Sequence, residues 1–249
     1  MRIVVLIAGV LDPKWPVVPV PGGLPARSGD RLLLSPFDEA VLELALKIRD
    51  ARADIALSAV VAGGPEAERL ARTVCALHVA DVSTLALATP WDQAAVARTL
   101  ALAASGADLI LIGREFGDCD DGLIPPMLAA ILGLPFFGRA QVVESNPALR
   151  LMREAGSHEE WVAVDRPIVA SVTNDRRTRL RKPLMKNVMM ARQAPIVHRN
   201  PVPVAATGLQ LAGSAGLAGA RSFTDCQMID GDVGEQARAL AAVLRDGRL

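Results

Sequence analysis

The chain has 249 residues, 51% hydrophobic and 22% charged, with 27 basic side chains against 27 acidic ones. That composition fills the core of one large α/β domain and excludes a disordered chain, while the balanced charge removes any global attraction to nucleic acid or to a membrane surface. Cys75, Cys119 and Cys226 are too few and too scattered for a disulfide framework or a zinc site, which fits reduced thiols in a cytoplasmic protein.

The opening MRIVVLIAGV is a continuous apolar run with no cleavage site, so it predicts a first strand over Arg2–Ala8 rather than a signal peptide. No run reaches the roughly 18–20 apolar residues of a membrane span, and no membrane insertion is expected. Residues 11–31 carry five prolines and Trp15 and predict an irregular loop. Ser35 then caps a helix in SPFDEAVLELALKIRD. Pro36 suits its first turn, Asp38 completes a capping box, and Phe37, Ala40, Val41, Leu44, Ala45 and Ile48 recur on one face.

Further continuous apolar runs predict strands at Ile55–Ala62, Thr84–Ala88, Asp108–Ile112 and Pro167–Val172. Helices are expected between them: from Pro65, from a start at Thr89-Pro90-Trp91-Asp92, and after Pro125-Pro126, the last one stopping at Gly133. Strands alternating with helices are the pattern of a doubly wound parallel sheet, an α/β fold of Rossmann-like kind. Segments 139–145, 148–154 and 159–165 alternate in hydrophobicity and predict a small antiparallel meander attached to the sheet. Residues 1–192 thus form a nucleotide-binding α/β domain with its meander at about 139–165. Residues 193–231 are rich in glycine and alanine with few charges. With the helix after Asp232 they predict an extended C-terminal arm, 193–249, lying on some other surface.

In an open parallel sheet the ligand crevice lies beyond the carboxyl ends of the strands. GREFGDCDDGLIPP, residues 113–126, falls at such an end, as do Ser35 and the Gly63-Gly64-Pro65 turn. Glycine permits close backbone approach. The helix start behind Gly122, Leu123 and Ile124 is expected to offer unpaired N–H groups to a phosphate, with Arg114 offsetting the nearby aspartates. A nucleotide is the default ligand, although the stretch is neither G-x-G-x-x-G nor GxxxxGK[ST]. Two other readings stay open: an acidic loop that merely caps its helix, and a hard cation on Asp118, Asp120 and Asp121.

His78, His158 and His198 accompany no nucleophile motif, so no catalytic residue is expected. Arg176 to Arg192 holds seven basic residues and no acidic one. It reads as a solvated basic face, as a nucleic-acid contact weakened by the lack of aromatic residues, or as a charge-rimmed apolar anchor built on Leu184, Met185, Val188, Met189 and Met190.

The order of these pieces resembles the β subunit of electron transfer flavoprotein along nearly the whole chain. SPFDEAVLELALKIRD is similar to that family's N-P-F/Y-D/C-E helix start. ADLILIGREFGDCDDGLIPPMLAAILGLP is similar to its nucleotide loop and following helix, and NVMMARQAPI to its N-I-M-K-A-K-K-K-P-I segment. The resemblance implies the adenine nucleotide alpha hydrolase-like fold group and an electron carrier rather than an enzyme. It also implies a heterodimer with an α subunit that holds the redox FAD, passing electrons from a flavin-dependent dehydrogenase to a quinone reductase, with no nucleic acid involved. This subunit would itself hold a structural AMP or, as in bifurcating members, a second FAD. The positions implied for it are Leu6, Ser35, Gly63, Gly113, Arg114, Asp118, Cys119, Asp120, Asp121, Gly122, Leu123 and Ile124, while Phe37 is implied to lie near the flavin side. Leu184, Met185, Val188 and Met189 are implied as the anchor for partner proteins. Gly122, Leu123 and Ile124 replace the family's usual Asn or Ala, Gln, and Thr or Val, which removes side-chain donors. The alternative is a stand-alone ATP-binding enzyme or regulatory nucleotide-binding module of the same fold group.

Overall fold

The structure, a computed structural model, describes residues 1–14, 32–201, 203, 204, 209 and 228–245. The expected loop around Trp15 and most of the arm at 193–231 lie outside these residues.

In chain order the strands are β1 (Arg2–Ile7), β2 (Val10–Leu11), β3 (Leu32–Leu33), β4 (Ala56–Ala62), β5 (Asp81–Leu85) and β6 (Leu109–Gly113), then β7 (Phe136–Ala140), β8 (Val142–Glu144), β9 (Arg150–Ala155), β10 (His158–Ala163), β11 (Ile168–Val172) and β12 (Val197–Arg199). The helices are α1 (Pro36–Ala51), α2 (Glu68–Cys75), α3 (Gln93–Ala104), α4 (Ile124–Leu132), α5 (Met185–Ala191) and α6 (Val233–Arg245). Seven strands form one sheet in the order β12-β5-β4-β1-β6-β11-β7, and every adjacent pair is parallel. This is the doubly wound α/β architecture expected. None of the described helices is long and apolar enough to cross a membrane.

The central strand shows why its sequence lacks alternation. Ile3, Val5 and Ile7 enter the layer shared with α1 and α2, while Val4, Leu6 and Ala8 enter the layer shared with α3 and α4. Both faces are covered, and each large aliphatic side chain removed from water contributes about 1.5–3 kcal/mol.

Several boundaries depart from expectation. The strand expected at Thr84–Ala88 is Asp81–Leu85, because its register runs parallel to β4 from Ser58↔Asp81 to Ala62↔Leu85. The cap of α3 is Asp92, whose carboxylate accepts from Ala95 N at 3.1 Å, and not Thr89. α4 begins one residue before the two prolines, which occupy its first turn and require no N–H partner. No strand was expected at Phe136–Gly138, yet β7 is a parallel edge strand beside β11, and only its last residues, Arg139 and Ala140, fall in the first expected meander segment. The antiparallel meander is therefore β8-β9-β10 alone.

Candidate functional site

Winding runs from β1 through β4 to β5 on one side, while β6, β11 and β7 lie on the other, so the topological switch falls between β1 and β6. Two carboxylates organise their carboxyl ends. Asp38 in the first turn of α1 is buried, and it accepts from Ala8 N (3.4 Å), Gly9 N (3.2 Å) and Ser35 N (3.0 Å). Ser35 Oγ in turn accepts from Asp38 N at 3.0 Å, so the capping box also ties α1 to the end of β1. Burial pushes the Asp38 carboxyl above its ordinary range, and the bonds from Ser35, Ala8 and Gly9 pull the other way.

Asp120 organises the loop after β6. Its Oδ2 accepts from Phe116 N at 2.9 Å, and its Oδ1 accepts from Gly122 N (3.0 Å), Leu123 N (2.9 Å) and Ile124 N (3.2 Å). The amides expected to stand open for a phosphate are thus bonded within the loop. The same loop folds back over β1: a Cβ on Gly117, which has φ +73°, would lie 3.0 Å from Ala8 Cβ, and Asp118 accepts from Leu11 N at 3.2 Å. Gln93 of α3 fastens its outer side, donating to Cys119 O (2.9 Å) and Asp121 Oδ1 (3.1 Å). Asp118, Asp120 and Asp121 therefore face three different sets of donors. Among the described residues no group of three or more His, Cys, Asp and Glu side chains converges as a metal site.

The other expected ligand positions are spread around this crevice. Leu6 is buried within the sheet, in register with Val60 and Ile112, and does not reach the crevice surface. Gly63 donates its N–H to Leu85 O at 2.8 Å with φ +127°, and a Cβ there would lie 2.7 Å from Ala67 Cβ. Gly113 packs against half-buried Phe37. Arg114 donates its main-chain N–H to Val172 O, and its guanidinium turns to Glu115 at 3.8 Å rather than to the aspartates.

A second constellation lies around α5. Leu184 is 71% and Met185 75% exposed, and Met189 and Met190 are exposed beside them. Val188 is half-buried between them. Two arginines hold this segment. Arg181 reaches Glu43 on α1 (Nη2–Oε1 2.8 Å) and Asp50, and Glu43 keeps its guanidinium charged well above the ordinary range. Arg72 on α2 donates to the carbonyls of Ala191 (2.9 Å), Arg192 (2.6 Å) and Ala194 (3.0 Å). A cleft of about 310 Å³ lined by Cys75, His78, Asn187, Met190 and Pro195 opens beside the anchor. Glu43, Arg72 and Gln93 were not singled out from the sequence; the available sign was Glu43, a lone acid inside the apolar run VLELAL.

α6 is capped at its start, with Asp232 Oδ1 accepting from Glu235 N at 2.9 Å, yet none of its described residues is buried. Val233, Leu240 and Leu244 form an exposed apolar stripe at helical spacing.

The family model for the electron transfer flavoprotein domain matches residues 25–204. The chain is 29% identical over 174 residues to an electron transfer flavoprotein subunit beta of Syntrophomonas wolfei subsp. wolfei, covering 69% of each. It is 26% identical over 201 residues to the subunit of the same name from Megasphaera elsdenii, covering 74% of this chain and 73% of that one. It is also 25% identical over 207 residues to an acryloyl-CoA reductase electron transfer subunit gamma of Anaerotignum propionicum, covering 79% and 76% respectively.

Proposed function

Because the chain belongs to the electron transfer flavoprotein domain family, we propose that it is the β-type subunit of a cytoplasmic two-subunit electron carrier and not a catalyst of bond-making. FAD, held mainly by the α-type partner, supplies the one- and two-electron chemistry. The residues of this chain hold and orient. Phe37 and Gly113 form a closely packed corner at the switch point, the wall assigned to the flavin side. α5 presents the anchor for a flavin-dependent dehydrogenase, and α6 presents an apolar stripe to the α-type partner. A quinone reductase is the acceptor downstream.

The observation that carries this reading is the anchor itself. Large apolar side chains stand in water on a short helix whose two ends are fastened to α1 and α2 by Arg181 and Arg72. Such an arrangement costs solvation and lowers the entropy lost on docking, which suits recognition of a protein surface. His198 is held by structural neighbours, bonded to Thr84 Oγ1 at 2.8 Å and 3.5 Å from Glu68.

For AMP or a second FAD within this chain, the donors present do not fit a phosphate at the start of α4, because Asp120 already takes the Gly122, Leu123 and Ile124 amides. No step is assigned to such a group. The carrier reading is tested by co-expression with an α-type subunit. The expected product is a yellow heterodimer that a flavin dehydrogenase reduces. A colourless single chain with magnesium-dependent ATP turnover would instead support the stand-alone enzyme.

A further inference from the structure

We propose that Asp120 is the resident anion of the α4 N-terminus, standing where a ligand phosphate would sit, so that this subunit folds and pairs without any adenine nucleotide of its own. The proposal goes beyond the carrier reading, which requires flavin only on the partner.

A helix start attracts a phosphate because its first N–H groups lack internal partners and its dipole is positive there. Here that capacity is spent. Leu123 N and Ile124 N both donate to Asp120 Oδ1, and Gly122 N joins them. The next two positions are Pro125 and Pro126, which have no N–H. The following amide, Met127 N, is already in the helix ladder, donating to Leu123 O at 3.1 Å. No main-chain donor from Gly122 to Met127 remains for an incoming anion.

The backbone is shaped for this closure. Gly122 has φ +95°, a conformation that lets the chain curl around its own side chain two residues back. Asp120 is only 9% exposed, with both oxygens engaged. Charge reinforces the geometry. A phosphate entering here would meet Asp118, Asp120 and Asp121 while the Arg114 guanidinium faces Glu115. It would have to displace three charge-assisted bonds and then sit among like charges.

The test counts adenine. Denatured, purified heterodimer is expected to release one adenine per particle, that of the partner's FAD. Two adenines, whether as AMP or as a second FAD, would overturn the proposal. In parallel, AMP and inorganic phosphate are titrated against wild type, Asp120→Ala and Asp120→Asn by calorimetry and thermal shift. Wild type is expected to show no response. Asp120→Ala frees three adjacent amides and should bind either anion about tenfold or more tightly than wild type. Asp120→Asn keeps the acceptor without the charge, should fold even if the alanine variant does not, and should bind more weakly than the alanine variant but measurably. Saturable AMP binding by wild type, or no gain in either variant, would overturn the assignment. If no flavin-bearing heterodimer forms, the carrier reading fails separately, and the titrations on the single chain still decide the role of Asp120.

Discussion

Arg181 lays its guanidinium along the Glu43 carboxylate, Nη2 to Oε1 at 2.8 Å, and its main-chain N–H reaches Oε2 of the same residue at 3.1 Å. One carboxylate thus fixes both the side chain and the backbone at the entrance to the anchor. Glu43→Gln is expected to lower stability by about 2 kcal/mol. This is less than the roughly 3–5 kcal/mol of a fully buried pair, because the Arg181 side chain is 40% exposed and screened. Urea unfolding measures the loss. Stopped-flow reduction by the dehydrogenase should slow in the same variant with flavin content unchanged.

Asp38→Ala should be costlier. It strips the acceptor from buried donors on Ala8, Gly9 and Ser35, a loss of about 2–4 kcal/mol, whereas Ser35→Ala should cost about 1 kcal/mol. Chemical denaturation of the two variants at constant slope decides between them. Equal losses would show that the tie to β1 adds nothing to the cap.

Acid should unfasten the approach to α5. Arg177 bonds Asp175 at 2.8 Å and holds its carboxyl down to about 2 against an ordinary 3.8. A lowered folded-state value contributes stability above pH about 4, and that contribution is lost as the pH falls toward 2. Screening at the 35%-exposed Arg177 side chain trims it to about 1 kcal/mol. Asp175→Asn should therefore flatten the stability profile between pH 4 and 2 while lying below wild type at pH 7, as thermal melts across that range will show.

Leu184→Ala with Met185→Ala should weaken docking of the dehydrogenase by about 2 kcal/mol, roughly thirtyfold in affinity, without loss of flavin. Surface plasmon resonance on the intact heterodimer reads this directly. Unchanged affinity would remove α5 from the docking surface.

Leu240→Asp with Leu244→Asp should abolish subunit association and leave the sheet folded, since neither side chain is buried in this chain. Size-exclusion chromatography and circular dichroism together separate lost pairing from lost fold.

The parts legible in the sequence were those with local causes. α1 announced itself through Ser35, Pro36 and Asp38, and β1, β4, β6 and β11 through apolar runs covered on both faces. β5 was misplaced because Asp81 and buried Ser83 near its start are polar, while apolar Ala86, Leu87 and Ala88 beyond its end prolong the run. β12 is three residues long and exposed, and only its pairing with β5 defines it. At the loop, the sequence offered both a capped acidic turn and an open phosphate cradle. The choice turned on which way the Asp120 oxygens face, and composition does not encode that. The hold of Glu43 on Arg181 spans 138 residues, and its local sign was a lone acid within the apolar run VLELAL, which does not name the partner.

Among the described residues beyond α5, the short strand β12 is the one that joins the sheet, pairing Val197↔Ser83, His198↔Thr84 and Arg199↔Leu85 at the border farthest from β7. Its hold on the sheet is therefore a three-residue seam. A border seam this short is the place where local opening costs least, while the interior strands keep their alignment.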